Sequence, residues 1–249
     1  MTTVDDARRI DLPEGLSQTD VVVQTIKSMI TRGELRAGSR LPIEKDLSVT
    51  LGVSRGSLRE GVRALAIMGV LETRQGDGTY VTSLDSELLL APMAFMVDLQ
   101  SPEHRHDLHA VRRVLESEAA ARAALHITPE QAQTARAALD GVRAAVFASP
   151  VTEHEAVMDA DIAFHRIIAK ASDNQALAAL IDALADRTLR ARRSIGVHHE
   201  EQIRTAFHDH VGILAAVTAG DPDRARLLMS HHLLAIEDFV HEDYALDDQ

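Results

Sequence analysis

Apolar residues recur every three or four positions along most of this chain, and one short stretch breaks that rule. Val22, Ile26, Met29 and Ile30 hold helical spacing, and Gly33 ends the first predicted helix. The segment GELRAGSRLP reads as a turn-rich link. A short helix follows with Leu47 as its apolar anchor, Gly52 permits a sharp turn, and Ser54 is suited to cap the next helix. On that helix Leu58, Val62 and Leu65 form one stripe, while Arg55, Arg59 and Arg63 recur every fourth residue on a different side. Gly69 closes it. The helical period then stops: Leu71 to Arg74 and Thr79 to Thr82 are predicted to pair as a hairpin across Gln75-Gly76-Asp77-Gly78, with Asp-Gly as the turn signal. Two helices about a tight turn followed by a hairpin make a winged helix-turn-helix, expected over residues 18–82. The polar segment 1–17 before it is expected to be flexible.

After Thr82 the period is helical throughout, with helices predicted near 84–99, 105–126, 129–148, 152–171, 174–195, 198–219 and 222–243. Thr128-Pro129-Glu130-Gln131 has capping-box spacing with Pro at the first helical position. Thr152 and Glu155 suggest a second box, and Asp221-Pro222 a cap followed by Pro. Short connections between long helices imply antiparallel neighbours. The fold class expected is therefore mainly α, a winged helix-turn-helix followed by an antiparallel all-α bundle over 83–245.

Charge refines this division. The chain of 249 residues has a net charge of −12 and no cysteine. Between residues 21 and 82, nine Lys and Arg face six Asp and Glu, whereas from residue 83 onward 15 face 27. A locally basic module suits phosphates while an acidic domain faces away from them. No apolar run reaches membrane-spanning length and the start is no signal peptide, so the expectation is a cytoplasmic protein with no membrane partner. A helix with one apolar stripe and one arginine stripe, starting just after a turn, suits the major groove of double-stranded DNA.

The 13 histidines all follow residue 100. Asp161 and His165, four apart, share a helix face. His210 lies eleven residues before Asp221 and His232 eleven after it, so in an antiparallel hairpin turning at Gly220-Asp221-Pro222 the two imidazoles stand level. With a third helix supplying Asp161 and His165, three imidazoles and a carboxylate suit Zn²⁺, Ni²⁺, Mn²⁺ or Fe²⁺. His104, His106, His109, His198, His199, His208 and His231 read as surface residues.

The N-terminal segment resembles the GntR family of bacterial transcription regulators. The resemblance is carried by Gly33-Glu34-Leu35, Gly38, Leu41-Pro42, Glu44, Leu47, Leu51-Gly52-Val53-Ser54-Arg55, Leu58-Arg59-Glu60, Leu65, Gly69-Val70-Leu71, Arg74, Gly76, Gly78-Thr79 and Tyr80-Val81. It implies that Lys45, Ser54, Arg55, Gly56 and Arg59, with Gln75 and Gly76 at the wing tip, meet DNA. Ile43 departs from the family's usual Ser or Thr cap. Gly61 replaces its usual alanine, at an expected cost of about 1 kcal/mol to the helix.

The C-terminal part resembles the FCD-type ligand-binding domain of the FadR subfamily. The matching residues are Arg112, Glu116, Ala119-Ala120, Asp161, Phe164-His165, Ser172, Asn174, His210, Ile213-Leu214, Gly220-Asp221, Ala225, Met229 and His232-Leu233. That resemblance implies Asp161, His165, His210 and His232 as ligands of a divalent metal, Zn²⁺ foremost, which helps hold a small carboxylate effector. Arg112 either grips that carboxylate or pairs with Asp107 or Glu116 on its own helix. Asn174 either lines the pocket or caps a helix. The expectation is a homodimeric, metabolite-responsive regulator, a repressor that answers to a small organic or sugar acid, and not an enzyme. The alternatives are a metal sensor with no organic effector, a metal-dependent enzyme, and an acyl-CoA responder that ignores metal.

Overall fold

The computed structural model describes residues 15–98, 105–184 and 200–247. Expectations for residues 1–14 and for His104, His198 and His199 lie outside them. The chain divides into two compact units, Met1–Pro92 and Met93–Gln249.

In the first unit, α1 (Gln18–Thr31) is opened by Ser17, whose side chain and that of Asp20 form a reciprocal capping box. Helix α2 (Glu44–Leu51) starts at Ile43 with no side-chain cap and ends on Gly52 in the left-handed conformation, at φ 66°. That glycine makes the turn into α3 (Arg55–Ile67) without strain. Ser54 caps α3 by accepting from the Ser57 amide at 3.0 Å. Val22, Ile26, Leu47, Leu58, Leu65, Leu71 and Val81 form the buried core.

Gly61 is not the weakness the sequence suggests. A Cβ there would lie 2.6 Å from Val22 Cγ1 and 2.7 Å from Val22 Cβ, so the missing side chain lets α1 approach α3 closely. The wing also differs in register from the expected one. Strands β1 (Leu71–Arg74) and β2 (Gly78–Val81) are antiparallel with Arg74 opposite Gly78. The loop is therefore Gln75-Gly76-Asp77, and Gly76 (φ 76°) carries the turn. Gly78 belongs to β2 instead, because the Arg40 guanidinium lies against its backbone where a Cβ would meet Nε at 2.8 Å.

Helix α4 (Ser86–Asp98) spans the division between the units, which falls at Pro92. Its first turn belongs with the first unit: the Leu88 carbonyl stands against Gly69 where a Cβ would be.

The described residues of the second unit are helical: α5 (Arg105–His126), α6 (Pro129–Val146), α7 (His154–Ala171), α8 (175–184), α9 (Glu200–Thr218) and α10 (Pro222–Asp247). Thr128 and Gln131 form the expected capping box of α6, and Asp221 accepts from the Arg224 amide at 3.0 Å to open α10. The box expected of Thr152 and Glu155 does not form. Helix α7 begins one residue later, with Glu153 (φ 51°) at its cap, because the Thr152 amide is engaged by the Ala145 carbonyl and the Val151 amide by Glu200. Small residues at the crossings (Ala120, Ala123, Ala135, Ala225) bring backbones close, and Phe164, Ile168, Ile213 and Met229 fill the space between. Helix α5 lies along α10, tied by Arg113–Glu237 at 2.8 Å and Arg226–Glu118 at 2.6 Å. His109, expected at the surface, is only 4% exposed. It stands one turn before Arg112 on the inward face of α5.

Candidate functional site

Two places bring chemistry-bearing side chains together, one in each unit. In the first unit Lys45, Ser54, Arg55, Gly56, Arg59, Gln75 and Gly76 are all exposed, so every residue predicted to meet DNA is open to solvent. Contacts within the unit order this face. The Ser54 hydroxyl already accepts the Ser57 amide, while Gln18 Oε1 accepts the Ser54 amide at 2.9 Å and the Ser57 hydroxyl at 3.1 Å, so α1 steadies the start of α3. Arg59 Nε donates to Glu44 Oε2 at 2.8 Å, which fixes one edge of its guanidinium. At the wing, Arg74 lies over the Tyr80 ring at 4.3 Å and the Tyr80 hydroxyl donates to Asp77 at 2.8 Å. Arg40 Nη2 donates to the Asp77 carbonyl. The sequence reading missed Glu44, Gln18 and Arg40 as organisers. Their partners lie 15 to 39 positions away, beyond any local spacing rule.

In the second unit, four helices converge on three histidines. His165 comes from α7, His210 from α9 and His232 from α10, all buried. His210 Nε2 lies 3.2 Å from His165 Nε2 and 3.1 Å from His232 Nε2. The hairpin equidistance thus corresponds to the level pair found. Asp161, one turn before His165, places Oδ1 3.6 Å from His210 Nε2.

The outer nitrogens explain why the inner ones converge. His165 Nδ1 is held by Glu116 Oε2 and His232 Nδ1 by Asp209 Oδ2 at 3.2 Å. A carboxylate accepting from Nδ1–H leaves Nε2 of the neutral ring as a lone pair aimed inward. Phe164 stacks on His210 with centroids 4.5 Å apart and fixes the third ring. With His210 Nε2 deprotonated as well, three lone pairs meet at one point and repel unless a cation lies between them. Nitrogens about 2.0–2.1 Å from a zinc ion stand roughly 2.8–3.4 Å apart over octahedral to tetrahedral angles. The observed separations fall in that range, so the donor set fits a divalent metal.

Arg112 is fully buried, and its Nε donates to Glu116 Oε1. The result is a chain from Arg112 through Glu116 to His165. Burial pushes the Glu116 carboxyl up, but the Arg112 guanidinium and the His165 imidazole outweigh it and hold the group at about 2. The ion pair on its own helix, one of the two roles expected for Arg112, is formed. Asn174 Oδ1 accepts the Leu177 amide at 3.1 Å, which makes it the cap of α8. Glu116 as the partner of His165, and Asp209 as that of His232, were not foreseen. Sequence showed the four-residue spacing to Arg112, but not which distant imidazole Glu116 would meet.

A pocket opens beside the histidines. Asp161 and His210 form one end, and Val142 and Val146 of α6, Val157 and Met158 of α7, and Ile203 and Phe207 of α9 wall the rest. Neither Arg112 nor Asn174 is among its lining residues. No helix among the described residues is long and apolar enough to cross a membrane.

Residues 18–81 match the family described as bacterial regulatory proteins, gntR family, and residues 107–235 match the FCD domain. The HTH-type transcriptional regulator LutR of Bacillus subtilis is 31% identical over 216 residues, which cover 85% of this chain and 96% of that protein. The HTH-type transcriptional repressor NanR of Klebsiella aerogenes is 26% identical over 223 residues, 88% of this chain and 83% of that protein. Among solved structures, a GntR protein of Streptococcus agalactiae superposes with a TM-score of 0.60 at 26% identity, over 88% of this chain and 99% of that one. These are regulators and not enzymes, which removes the metal-dependent enzyme from the alternatives.

Proposed function

The chain belongs to the GntR family of bacterial regulatory proteins and carries an FCD domain behind its DNA-binding module, and from that premise we propose that it is a repressor whose hold on operator DNA answers to a small carboxylate bound beside a divalent metal. Asp161, His165, His210 and His232 hold the metal, with Zn²⁺ the best match to the three imidazoles. The convergence of three Nε2 atoms within 4.8 Å of one another carries the reading. When bound, the metal supplies positive charge at which a carboxylate is held. Asp161 and His210 present that charge at the end of an otherwise apolar pocket.

On the DNA side, Arg55 and Arg59 reach base edges in the major groove, Lys45, Ser54 and Gly56 contact the backbone, and Gln75 and Gly76 enter the adjacent minor groove. Two copies reading a palindromic operator give the specificity one short helix lacks. Arg112 serves the site through Glu116 as a positioning residue, and Asn174 serves it through the cap of α8. The relative named a repressor supports the sign of the response. Effector control requires different effector affinity in the DNA-bound and released states.

The test is His210→Ala in the full-length protein. It is expected to lose metal binding and the effector response while operator binding without effector persists. A variant that keeps a normal effector response refutes the proposal.

A further inference from the structure

We propose that Arg40, which stands outside both the helix-turn-helix and the hairpin, is a further operator-reading residue: its guanidinium enters the minor groove with the wing tip and favours A·T base pairs beside the half-site. This rests on the reading of the wing as a DNA contact. Residues 38–41 run along β2 as a third strand. The Gly38 amide donates to the Val81 carbonyl and the Val81 amide to the Ser39 carbonyl, each at 2.9 Å, and the Leu41 amide donates to the Thr79 carbonyl at 2.8 Å. Arg40 thereby stands opposite Tyr80. On the other side of β2, Glu72 stands opposite Tyr80 and Arg74 opposite Gly78. Residues paired across strands project to one face. Arg40, Glu72, Arg74 and Tyr80 therefore share a face, while Leu71 and Val81 are buried on the other.

Gly78 leaves a gap in that face, and the Arg40 guanidinium lies over it, where a Cβ would meet Nε at 2.8 Å. Nη2 donates to the Asp77 carbonyl in the loop itself. A residue remote in sequence thus places its charge at the wing tip. The two arginines of the face are held unequally. Arg74 Nη2 is 2.6 Å from Glu72 Oε1, and its guanidinium lies 4.3 Å from the Tyr80 centroid. Arg40 Nη2 stays 4.0 Å from Asp77 Oδ1, its guanidinium is 5.9 Å from the same centroid, and its side chain is 55% exposed. A guanidinium has five N–H donors, and the bond to the Asp77 carbonyl engages one of them. The minor groove presents adenine N3 and thymine O2 as acceptors, and where A·T tracts narrow it, its negative potential attracts arginine. A G·C pair adds an amino group there, which meets a guanidinium as donor against donor. Asp77 is the competitor for Arg40 until the groove replaces it.

The experiment uses the full-length protein and an operator selected from a random library, remade with A·T or G·C pairs flanking each half-site. Anisotropy titrations over a salt series read affinity and its salt slope. The parent is expected to favour A·T flanks by about fivefold or more, the effect of one base pair. Arg40→Ala should erase that preference and lower the salt slope by about one per subunit. Asp77→Asn keeps an acceptor for the Tyr80 hydroxyl and removes the competing charge. It should tighten binding to the A·T-flanked operator, and more so with Arg40 present than in an Arg40→Ala background. Arg40→Ala that weakens both operators alike assigns Arg40 to a phosphate or to the shape of the wing and overturns the inference, as does an Asp77→Asn gain equal in both backgrounds; the wing contact then stands. A parent indifferent to its flanks also overturns the inference, and if Gln75→Ala leaves affinity unchanged as well, the wing reading fails with it.

Discussion

Replacing Glu116 with Gln isolates the group that orients the metal-facing histidine. Glu116 is 2% exposed and joins Arg112 on one oxygen and His165 on the other. An amide of the same shape cannot serve both donors. If its oxygen faces Arg112, its NH₂ faces His165 Nδ1, which must then accept, and the ring proton moves to Nε2, where it blocks coordination. If its oxygen faces His165, two donors confront each other in the interior. Loss of such an outer partner weakens a metal site about 10- to 100-fold. At metal 100 times the parent's dissociation constant, binding stabilises the fold by about 2.7 kcal/mol; in the variant this falls to between about 0.4 and 1.4 kcal/mol. For a chain of this size about 1 kcal/mol moves the melting point roughly 2–4 °C. The metal-dependent rise of roughly 5–11 °C should therefore shrink to at most about 6 °C. Comparing loaded and chelated protein within each variant removes the separate cost of breaking the buried Arg112 pair, about 3–5 kcal/mol. Asp209→Asn should weaken metal binding less, about tenfold, because Asp209, unlike Glu116, is partly exposed, at 23%. Zinc affinity of Glu116→Gln within threefold of the parent, by competition with a chelating dye, would refute the argument.

Two further predictions concern the DNA module. Glu44→Gln frees the Arg59 guanidinium from its 2.8 Å partner; the pair is exposed, so stability should change by less than about 1 kcal/mol. Removing a negative charge should raise affinity for random DNA, while affinity for an operator selected from a random library falls about 3- to 10-fold, as part of the discrimination from a bidentate arginine is lost. Anisotropy titrations that show both affinities rising together would show that Glu44 does not align Arg59. Gly61→Ala should destabilise the protein despite a helix-propensity gain of about 1 kcal/mol, since the new methyl meets Val22 at 2.6 Å. In a Val22→Gly background, which removes Cβ and Cγ1 alike, the same substitution should destabilise less. Urea midpoints for the four proteins give the sign directly, and a gain in both backgrounds would dismiss the close approach of α1 and α3.

What was legible in the sequence was local or symmetric. Capping at Ser54, Thr128 and Asp221 follows from residues three apart and appears as read. The His210–His232 pair was legible because a tight turn converts equal sequence distance into spatial level, and the two rings stand 3.1 Å apart. The errors share a different origin. Thr152 and Glu155 satisfied the box spacing, yet distant acceptors, Ala145 and Glu200, had first claim on the neighbouring amides and moved the helix start. Gly61 looked like a propensity cost because its reason is Val22, on another helix. Glu116 was visible as a partner four residues from Arg112, but its work lies with His165, 49 positions on. The side chains proposed to meet metal and DNA follow from spacing along the chain, and those that hold them in place follow only from how elements pack. For this chain, substitutions at Glu116, Asp209 and Glu44 therefore test the proposed function more sharply than substitutions at the ligands. Removing a ligand destroys the site on any account, whereas weakening an orienting carboxylate grades the response only if the site works as described.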